Sequence, residues 1–543
     1  MQGATLHNIM LSTKDIKVKF LGITPRLEDE TGVLTSQQIV ALSGLLTYSG
    51  KSIEAILKET QDSGKDLGKK IAAVLRKSSL KGHASMATTP VLSFSYEASK
   101  FIDSGLTGIV FASAIMASGR RTDTVADDIV YPEAMERNKE AQAVYRAASE
   151  RNIDVFNHLL AGGISKDEAS KILQYGIYGT GIIQLPIESL VTLRREFDAE
   201  IDWMPEDIGF LISAIERELE RYGVDLLYAT RLAAPRNNYP YPNIFKNPDV
   251  SNFARDISLE NRGGDNFKIV SSDFAVTKGL EKRLRLLEEE IKEAAADKDN
   301  LKDKWMGLLQ TRQQIARDYS LSANIKIYSS IAWRVWGDKK RHRTVPMVVD
   351  SVYYCARSAA TLIESLKEKI LSRDLSHAMI DSIDCVFSVP PAVRSDNEFL
   401  YEYLERALDS LQAYVKLIDM GIKARDAIFV VPRGLRLNTV QDYNLYNLIA
   451  GYYPLRICST AEEELRRLSI KEVVAIKNLL QQKGLDWLGR HIVPKCHCAG
   501  FCLEDKCCGA VSGLTSGYNE AFHKEIHRDL EDKFQAVLKN IGK

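Results

Sequence analysis

The sequence predicts an α/β (α+β) protein built as two tandem copies of one domain. Residues 91–97 alternate, with Leu92, Phe94 and Tyr96 apolar and the residues between them polar, which is the pattern of a half-buried strand. Long segments with helical spacing surround it. Residues 163–169 (GISKDEA) and 421–427 (GIKARDA) resemble each other, which indicates the repeat.

The first copy is predicted to occupy residues 1–232. A strand at 16–25 opens it, helices follow to about Lys81, the alternating strand comes next, and helical patterns fill roughly 132–230. Residues 233–265 contain four prolines and a glycine pair, and are predicted to form an irregular linker.

The second copy is predicted at 266–510, followed by a helical tail at 511–543. A strand-like segment at 267–270 precedes a long charged helix at 279–316, whose apolar residues keep heptad spacing. Such a stripe packs along another helix, either within the same domain as a hairpin or across a subunit interface. An alternating segment, Asn324–Ile327, then repeats the plan of the first copy.

Composition excludes several classes of function. Lys plus Arg is 72 and Asp plus Glu is 72, so no global charge attracts the chain to nucleic acid or to an anionic membrane. The uncharged, largely apolar stretch at residues 104–119 falls short of the ~20 residues of a membrane span. Lys14, Asp15 and Lys17 lie where a signal peptide would need an apolar core, and we expect a cytoplasmic protein without nucleic-acid or membrane partners.

Two basic motifs are candidates for binding anions. Arg341-His342-Arg343 places two guanidiniums and an imidazole together, which suits a diphosphate or an electron-rich ring. Ser118-Gly119-Arg120 combines a hydroxyl, backbone amides and a guanidinium, which suits a monophosphate. Taken alone, each motif is weak evidence: the first is more typical of a solvated surface, and the second of a helix N-cap followed by surface arginines.

In their context, these motifs resemble the flavin-dependent thymidylate synthases, the ThyX family. The first copy has Gly82-His83-Ala84-Ser85 and Ser118-Gly119-Arg120, but Gly108-Ile109-Val110 stands where the family has Arg-His-Arg. The second copy keeps Arg341-His342-Arg343 and Ser351. It departs from the pattern RHRxxSxNExSxR at four positions: Pro346, Val348, Val349 and Tyr353.

A downstream arginine of the family is present in both copies, as Arg194 and Arg456, although the Asn-x-Arg element that precedes it is absent.

The resemblance implies a mixed or antiparallel sheet with packed helices in each copy. It also implies reductive methylation of dUMP to dTMP with FAD, NADPH and methylenetetrahydrofolate. An arginine would stabilise the charge that builds on the uracil ring. Two alternatives remain open: a non-catalytic flavin- or nucleotide-binding paralogue with a structural role, and a related flavoenzyme acting on another pyrimidine nucleotide.

The resemblance assigns roles residue by residue. His83, Ser85, Arg341, His342 and Arg343 would bind the flavin, whereas Ser118, Gly119, Arg120 and Ser351 would bind substrate. Because the copies retain complementary parts of the motif, we expect one composite site per chain. Arg194 would be its activator, and Arg456 would belong to the vacated site. Two chains would form a homodimer that imitates the four-subunit assembly of the family.

A cysteine cluster near the C-terminus is the most specific local feature. Four thiolates within thirteen residues are able to surround one ion, and structural zinc, an iron–sulfur centre and free reduced thiols are the possibilities. His491 and His497 are spare ligand candidates. The cluster consists of Cys496, Cys498, Cys502, Cys507 and Cys508.

Overall fold

The computed structural model describes residues 12–29, 32–117, 123–235, 241–261 and 264–541. Strands and helices are both abundant in these residues, as the predicted α/β (α+β) class requires. The strands are β1 (Lys17–Thr24), β2 (Leu27–Asp29), β3 (Gly32–Leu34), β4 (Val91–Ser99), β5 (Ser113–Met116), β6 (Tyr178–Pro186), β7 (Phe267–Phe274), β8 (Ala323–Ala332), β9 (Met347–Val349) and β10 (Arg436–Asn444).

Helices account for most of the remaining regular structure. They are α1 (Ser36–Ser49), α2 (Ile53–Asp62), α3 (Leu67–Lys77), α4 (Ser85–Thr88), α5 (Phe101–Leu106), α6 (Lys139–Ala161), α7 (Lys166–Ala169), α8 (Ile187–Ala199), α9 (Glu206–Glu216), α10 (Asp225–Leu232), α11 (Phe253–Glu260), α12 (Lys278–Ala295), α13 (Lys298–Asp318), α14 (Trp333–Lys339), α15 (Val352–Ser365), α16 (Lys367–Leu371), α17 (His377–Asp384), α18 (Pro391–Arg394), α19 (Asn397–Asp419), α20 (Ala424–Ala427), α21 (Tyr453–Arg456), α22 (Glu463–Gln482), α23 (Asp486–Gly489), α24 (Lys495–Ala499) and α25 (Glu520–Ile541). None of the described helices combines the length and apolar character that a bilayer-spanning helix needs.

The chain forms two compact units that do not follow the predicted domain boundaries. The first unit contains the described residues up to Ser251 together with Ala332–Arg341 and Val349–Leu437. The second contains Asn252–Ile331, His342–Val348 and the residues from Asn438 onward. The predicted linker at 233–265 is also not irregular throughout, because α11 lies within it and buries Ala254 and Ile257.

The first unit has a sheet of order β1-β4-β6-β5, in which the pairs β1–β4, β4–β6 and β5–β6 are antiparallel. Leu92, Phe94 and Tyr96 are buried, while the alternate side chains of β4 are partly exposed. The period-2 prediction for this strand is therefore confirmed. A bulge interrupts the register of β1 between Phe20 and Gly22.

Two 23-residue helices of the first unit, α6 and α19, pack against each other. The hydroxyl of Ser410 on α19 donates a hydrogen bond of 2.7 Å to Asn152 Oδ1 on α6, and both residues are buried. Since α6 and α19 come from the two predicted copies, this packing explains why the first unit includes residues that the sequence assigned to the second domain.

The second unit has a sheet of order β7-β8-β10-β9. β7 and β8 are antiparallel, and the register of β7 shifts between Ile269 and Ser271, as the register of β1 shifts in the first sheet. The two sheets thus have the same arrangement along the chain. In each, the first strand lies at one edge, the next two long strands are central, and a short strand of three or four residues lies at the other edge.

The heptad segment is two helices, and the prediction of one helix at 279–316 is wrong. The helix breaks after Ala295, and Asp297 caps the next helix by accepting a hydrogen bond from the backbone N–H of Asp299. α12 and α13 pack against each other, so the intramolecular hairpin is the alternative that the structure confirms. The stripe is buried in one core, as predicted: Leu280, Leu284, Leu287, Ile291, Ala294, Leu301, Trp305, Leu308 and Ile315.

Candidate functional site

A small cavity of about 110 Å³ in the first unit is rich in cationic side chains. Among the described residues, Lys100, Arg334, Arg341 and Arg433 line it, and two carboxylates, Asp103 and Asp338, share its wall. Four cations against two anions leave an excess of positive charge. Such a cavity favours an anionic ligand.

Secondary structure places these cations at the ends of elements. Lys100 directly follows β4, and its Nζ donates a hydrogen bond of 3.1 Å to the carbonyl oxygen of Ala117, just beyond β5. Arg334 lies in the first turn of α14, and Arg341 follows the end of that helix. Arg433 precedes β10, with its guanidinium 4.8 Å from the centre of the Tyr175 ring.

Burial makes the positive charges of Lys100 and Arg433 costly. It lowers the pKa of Lys100 to about 8, although the carboxylate of Asp103 acts in the opposite direction. It also lowers the pKa of Arg433 to about 10. Arg433 is 2% exposed, and its buried Nη2 has no hydrogen-bond partner among the described residues. An orphaned guanidinium nitrogen beside other cations is the arrangement that a phosphate oxygen would satisfy.

His342 and Arg456 contact each other in the second unit. Arg456 ends α21, and its Nε donates a hydrogen bond of 2.8 Å to His342 Nε2. Because an arginine nitrogen only donates, Nε2 is the unprotonated nitrogen of the imidazole ring. The ring also meets Tyr452 edge-on, with 4.8 Å between centroids. The histidine of the basic motif and the downstream arginine are thus brought together by folding.

A π-helical turn, Asn447–Gly451, lies just before α21. The side chain of Asn447 is buried, and its Nδ2 donates 3.1 Å to the carbonyl oxygen of Thr344. The hydroxyl of Thr344 donates 3.0 Å to Asn447 Oδ1 in return. These two bonds fix the segment after His342, and single π turns of this kind are frequent at functional sites.

Arg194, the expected activator, is held by two carboxylates. Its Nε donates 3.0 Å to Asp198 one turn further along α8, and its Nη1 donates 3.2 Å to Glu216 on α9. The hydrogen bond to Asp198 is the main reason why the pKa of Arg194 is raised. A guanidinium neutralised in this way is less able to stabilise new negative charge on a substrate.

The remaining predicted binding residues are dispersed. His83 and Ser85 are exposed, and Ser85 begins the single turn of α4. Ser351 is fully buried, and its hydroxyl donates 2.7 Å to the carbonyl oxygen of Lys246, so it is used within the first unit. Arg343 is exposed. Ser118, Gly119 and Arg120 lie outside the described residues.

The five cysteines of the C-terminal cluster do not all share one environment. Cys496 and Cys502 share a small buried cluster with Val511, and Cys507 packs against it. Cys498 is absent from this cluster; burial raises the pKa of its thiol, and the charge of Arg312 acts in the opposite direction. Burial and neighbouring thiols raise the pKa of Cys502 to about 12, whereas Cys508 is exposed and its hydrogen bond to Ser459 lowers its pKa.

A protein-family comparison matches residues 276–479 to Thy1, the thymidylate synthase complementing proteins. This segment contains the basic motif at 341–343 and Arg456. Over this segment the chain is similar to the Thy1 family. His83, Ser85, Arg194 and the cysteine cluster lie outside it.

Curated relatives support the assignment over a limited length. The chain is 27% identical over 126 residues to a flavin-dependent thymidylate synthase of Pyrococcus abyssi and 30% identical over 125 residues to that of Pyrococcus horikoshii. Each alignment covers 23% of this chain and 50% of the relative. The chain therefore spans about half the length of the curated relatives it matches.

Two solved structures are similar at 15% identity over 40% of this chain. One is a UMP/dUMP methylase, PolB, of Streptomyces cacaoi bound with 5-Br dUMP, with 96% of that chain covered and a TM-score of 0.31. The other is thymidylate synthase X of Helicobacter pylori with FAD and dUMP, with 99% covered and a TM-score of 0.29. At these TM-scores the overlaps carry no argument about this chain.

The sequence did not single out three of the cavity cations. Lys100 directly follows the alternating strand, and Arg433 directly follows the apolar run 427–432. A charged residue at the end of a buried element was the sequence feature that could have identified both residues. Arg334 lies seven residues before the basic motif. Only folding brings the three together.

Proposed function

We propose that this protein is a flavin-dependent thymidylate synthase, which methylates dUMP reductively to dTMP. FAD would be its cofactor, with methylenetetrahydrofolate and NADPH as co-substrates. The observation that carries the proposal is the 2.8 Å contact between Arg456 and His342, because it joins two motif elements within the Thy1 segment.

The cationic cavity fits the charged part of a nucleotide or flavin. The orphaned Nη2 of Arg433 and the neighbouring Lys100 are suited to a phosphate oxygen. Arg341, His342 and Arg343 would hold the flavin, with His83 and Ser85 contributing from the first copy. When bound, the flavin supplies the carrier for the methylene group and the hydride.

An arginine is suited to activate the uracil ring. Carbon C5 becomes nucleophilic when negative charge on O2, N3 and O4 is stabilised, and a guanidinium stays charged without acting as an acid. We assign this role to Arg456, whereas the sequence alone favoured Arg194. Arg194 is already paired with Asp198 and Glu216, which leaves it less capacity to bind a developing anion.

We also propose that the chain is a tandem duplication with one working site. The matching strand orders of the two sheets support the duplication. Met116 and Ala117 directly precede the Ser118-Gly119-Arg120 motif of the first copy and line the same cavity as Arg341 of the second copy. This supports a composite site, in which residues 118–120 bind the dUMP phosphate.

Tritium release from [5-³H]dUMP, with FAD, NADPH and methylenetetrahydrofolate, tests the activity directly. Loss of one preorganised donor reduces the rate by about 10²–10³, so Arg456→Ala is expected to fall by that factor. Arg194→Ala is the matched control and is expected to fall far less. The reverse ranking would contradict the assignment of Arg456, and absence of release by the native chain would contradict the proposed activity.

A second candidate is a non-catalytic flavin- or nucleotide-binding paralogue. It is favoured by Pro346, Val348, Val349 and Tyr353, which replace polar or charged residues of the family motif. A yellow protein that binds dUMP without releasing tritium would support it. Release of tritium from labelled UMP in place of dUMP would instead indicate a related flavoenzyme with another pyrimidine substrate.

A further inference from the structure

Three metal-ligating side chains converge at the C-terminal end of the second unit. The sulfur atoms of Cys502 and Cys507 and one ring nitrogen of His523 all lie within 4.8 Å of one another. Tetrahedral zinc has bonds of about 2.0–2.3 Å, so its ligand atoms lie within about 4 Å of one another. A shift of about 1 Å would close this group around one ion.

The hydrogen bonds of His523 indicate which ring nitrogen would bind a metal. Nε2 lies 3.2 Å from the carbonyl oxygen of Asp505, which only accepts, so Nε2 carries the proton. Nδ1 is therefore the basic nitrogen; it accepts a 2.9 Å hydrogen bond from the Tyr518 hydroxyl, and a bound ion would replace that bond. Metal-bound histidines commonly donate their second N–H to a backbone carbonyl, as His523 does here.

Backbone hydrogen bonds support the loop that carries the two cysteines. The backbone N–H of Gly509 donates 3.3 Å to Cys507 Sγ, which is favourable for a thiolate. The backbone N–H of Cys502 donates 3.0 Å to the Tyr518 hydroxyl oxygen, and this links the cysteine loop to the residue that faces His523.

Cys496 is the best candidate for the fourth ligand. It is 7% exposed and belongs to the same buried cluster as Cys502, with Cys507 packed against it. Cys498 is two residues away on α24 but is not part of that cluster. Of the five cysteines that the sequence indicated, this group keeps three, leaves out Cys498 and Cys508, and adds a histidine from α25.

We propose that Cys496, Cys502, Cys507 and His523 bind one Zn²⁺ ion, independently of the proposed activity. The ion would fasten the loop after α24, which has little regular structure, to the start of α25. An adjoining cavity of about 430 Å³, lined by Cys507 and His523, gives the ion a path from solvent. The site lies outside the Thy1 segment at 276–479, so that family match does not account for it.

Metal analysis of the full chain, purified without added zinc, is the first test. We expect about one zinc per chain, and less than about 0.2 would overturn the proposal. Iron with acid-labile sulfide in place of zinc would overturn it as well. The chain has eight cysteines. Fewer than eight free thiols in the denatured, unreduced protein would indicate a disulfide and would also overturn the proposal.

Cobalt substitution identifies the ligands without relying on activity. Co²⁺ added to the metal-free chain is expected to give the absorption bands of tetrahedral sulfur and nitrogen ligation. His523→Asn and Cys502→Ser should weaken Co²⁺ binding at least tenfold. Loss of a residue that only supports a metal ligand already weakens metal binding by about 10–100-fold. Circular dichroism of each metal-free variant verifies that it is folded.

Two matched controls keep this test specific. His527→Asn alters a histidine one turn along α25 whose Nε2 lies 3.1 Å from the Cys502 carbonyl oxygen, and Cys498→Ser alters a buried cysteine beside Cys496. Both are expected to retain the bands and the affinity for Co²⁺. Equal loss in the controls and in the ligand variants would contradict the proposed ligand set.

Discussion

Replacement of Glu188 by leucine tests how the first unit is stabilised. Glu188 on α8 and Arg231 on α10 form a bidentate ion pair, with both side chains fully buried. Nε and Nη2 of Arg231 each donate 2.7 Å to the carboxylate, and Nη1 donates 3.0 Å to the carbonyl oxygen of Ser79. Glu188→Leu leaves the guanidinium of Arg231 buried and removes two of these three hydrogen bonds.

The expected cost follows from those contacts. Each buried donor that loses its partner costs about 1–3 kcal/mol, so two cost about 2–6 kcal/mol. This range contains the 3–5 kcal/mol that breaking a buried ion pair costs. We therefore expect Glu188→Leu to lower the free energy of unfolding of the first unit by about 4 kcal/mol.

Urea denaturation followed by circular dichroism measures the change, and hydrogen exchange of the α8 and α10 amides localises it. Arg194→Ala on the same helix is the control. Its ion pairs are partly exposed and should contribute no more than about 1 kcal/mol. The double variant Glu188→Leu/Arg231→Met removes both charges and should recover most of the loss. A single variant within 1 kcal/mol of the native chain, or a double variant as unstable as the single one, would refute the reasoning.

Three further outcomes are expected. Burial lowers the pKa of Lys100 to about 8, so its side chain loses its positive charge as pH rises through 8. The affinity for dUMP measured by calorimetry should therefore weaken over that pH range, and Lys100→Met should remove this dependence. An unchanged pH profile in the variant would exclude Lys100 from anion binding. Leu287→Ala in the α12–α13 core should lower the free energy of unfolding, measured by urea denaturation, by about 2–5 kcal/mol. Leu286→Ala alters the exposed neighbour and should lower it by well under about 1 kcal/mol. Equal effects of the two variants would contradict the hairpin packing. Light scattering should give the mass of two chains, and the mass of one chain with full activity would contradict the expected homodimer of tandem chains.

The sequence by itself determined much of the local structure and the resemblance to one family. Alternation at 91–97 defined β4, because burying one face of a strand requires period 2. The apolar stripe at 279–316 identified its buried face correctly, but periodicity continues through a turn, so the break after Ala295 was not visible. Arg341-His342-Arg343 and Arg456 carried the resemblance that the Thy1 match confirms.

Tertiary structure alone decided which side chains meet. Lys100 and Arg433 share a cavity although more than three hundred residues separate them along the chain, and His523 joins Cys502 and Cys507 from a different helix. Arg194 and Arg456 occupy similar motif contexts in the sequence, yet carboxylates hold the first and a histidine contacts the second. Sequence patterns report the periodicity of single elements, whereas charge pairing and ligand geometry depend on distances through space that only the packed fold defines.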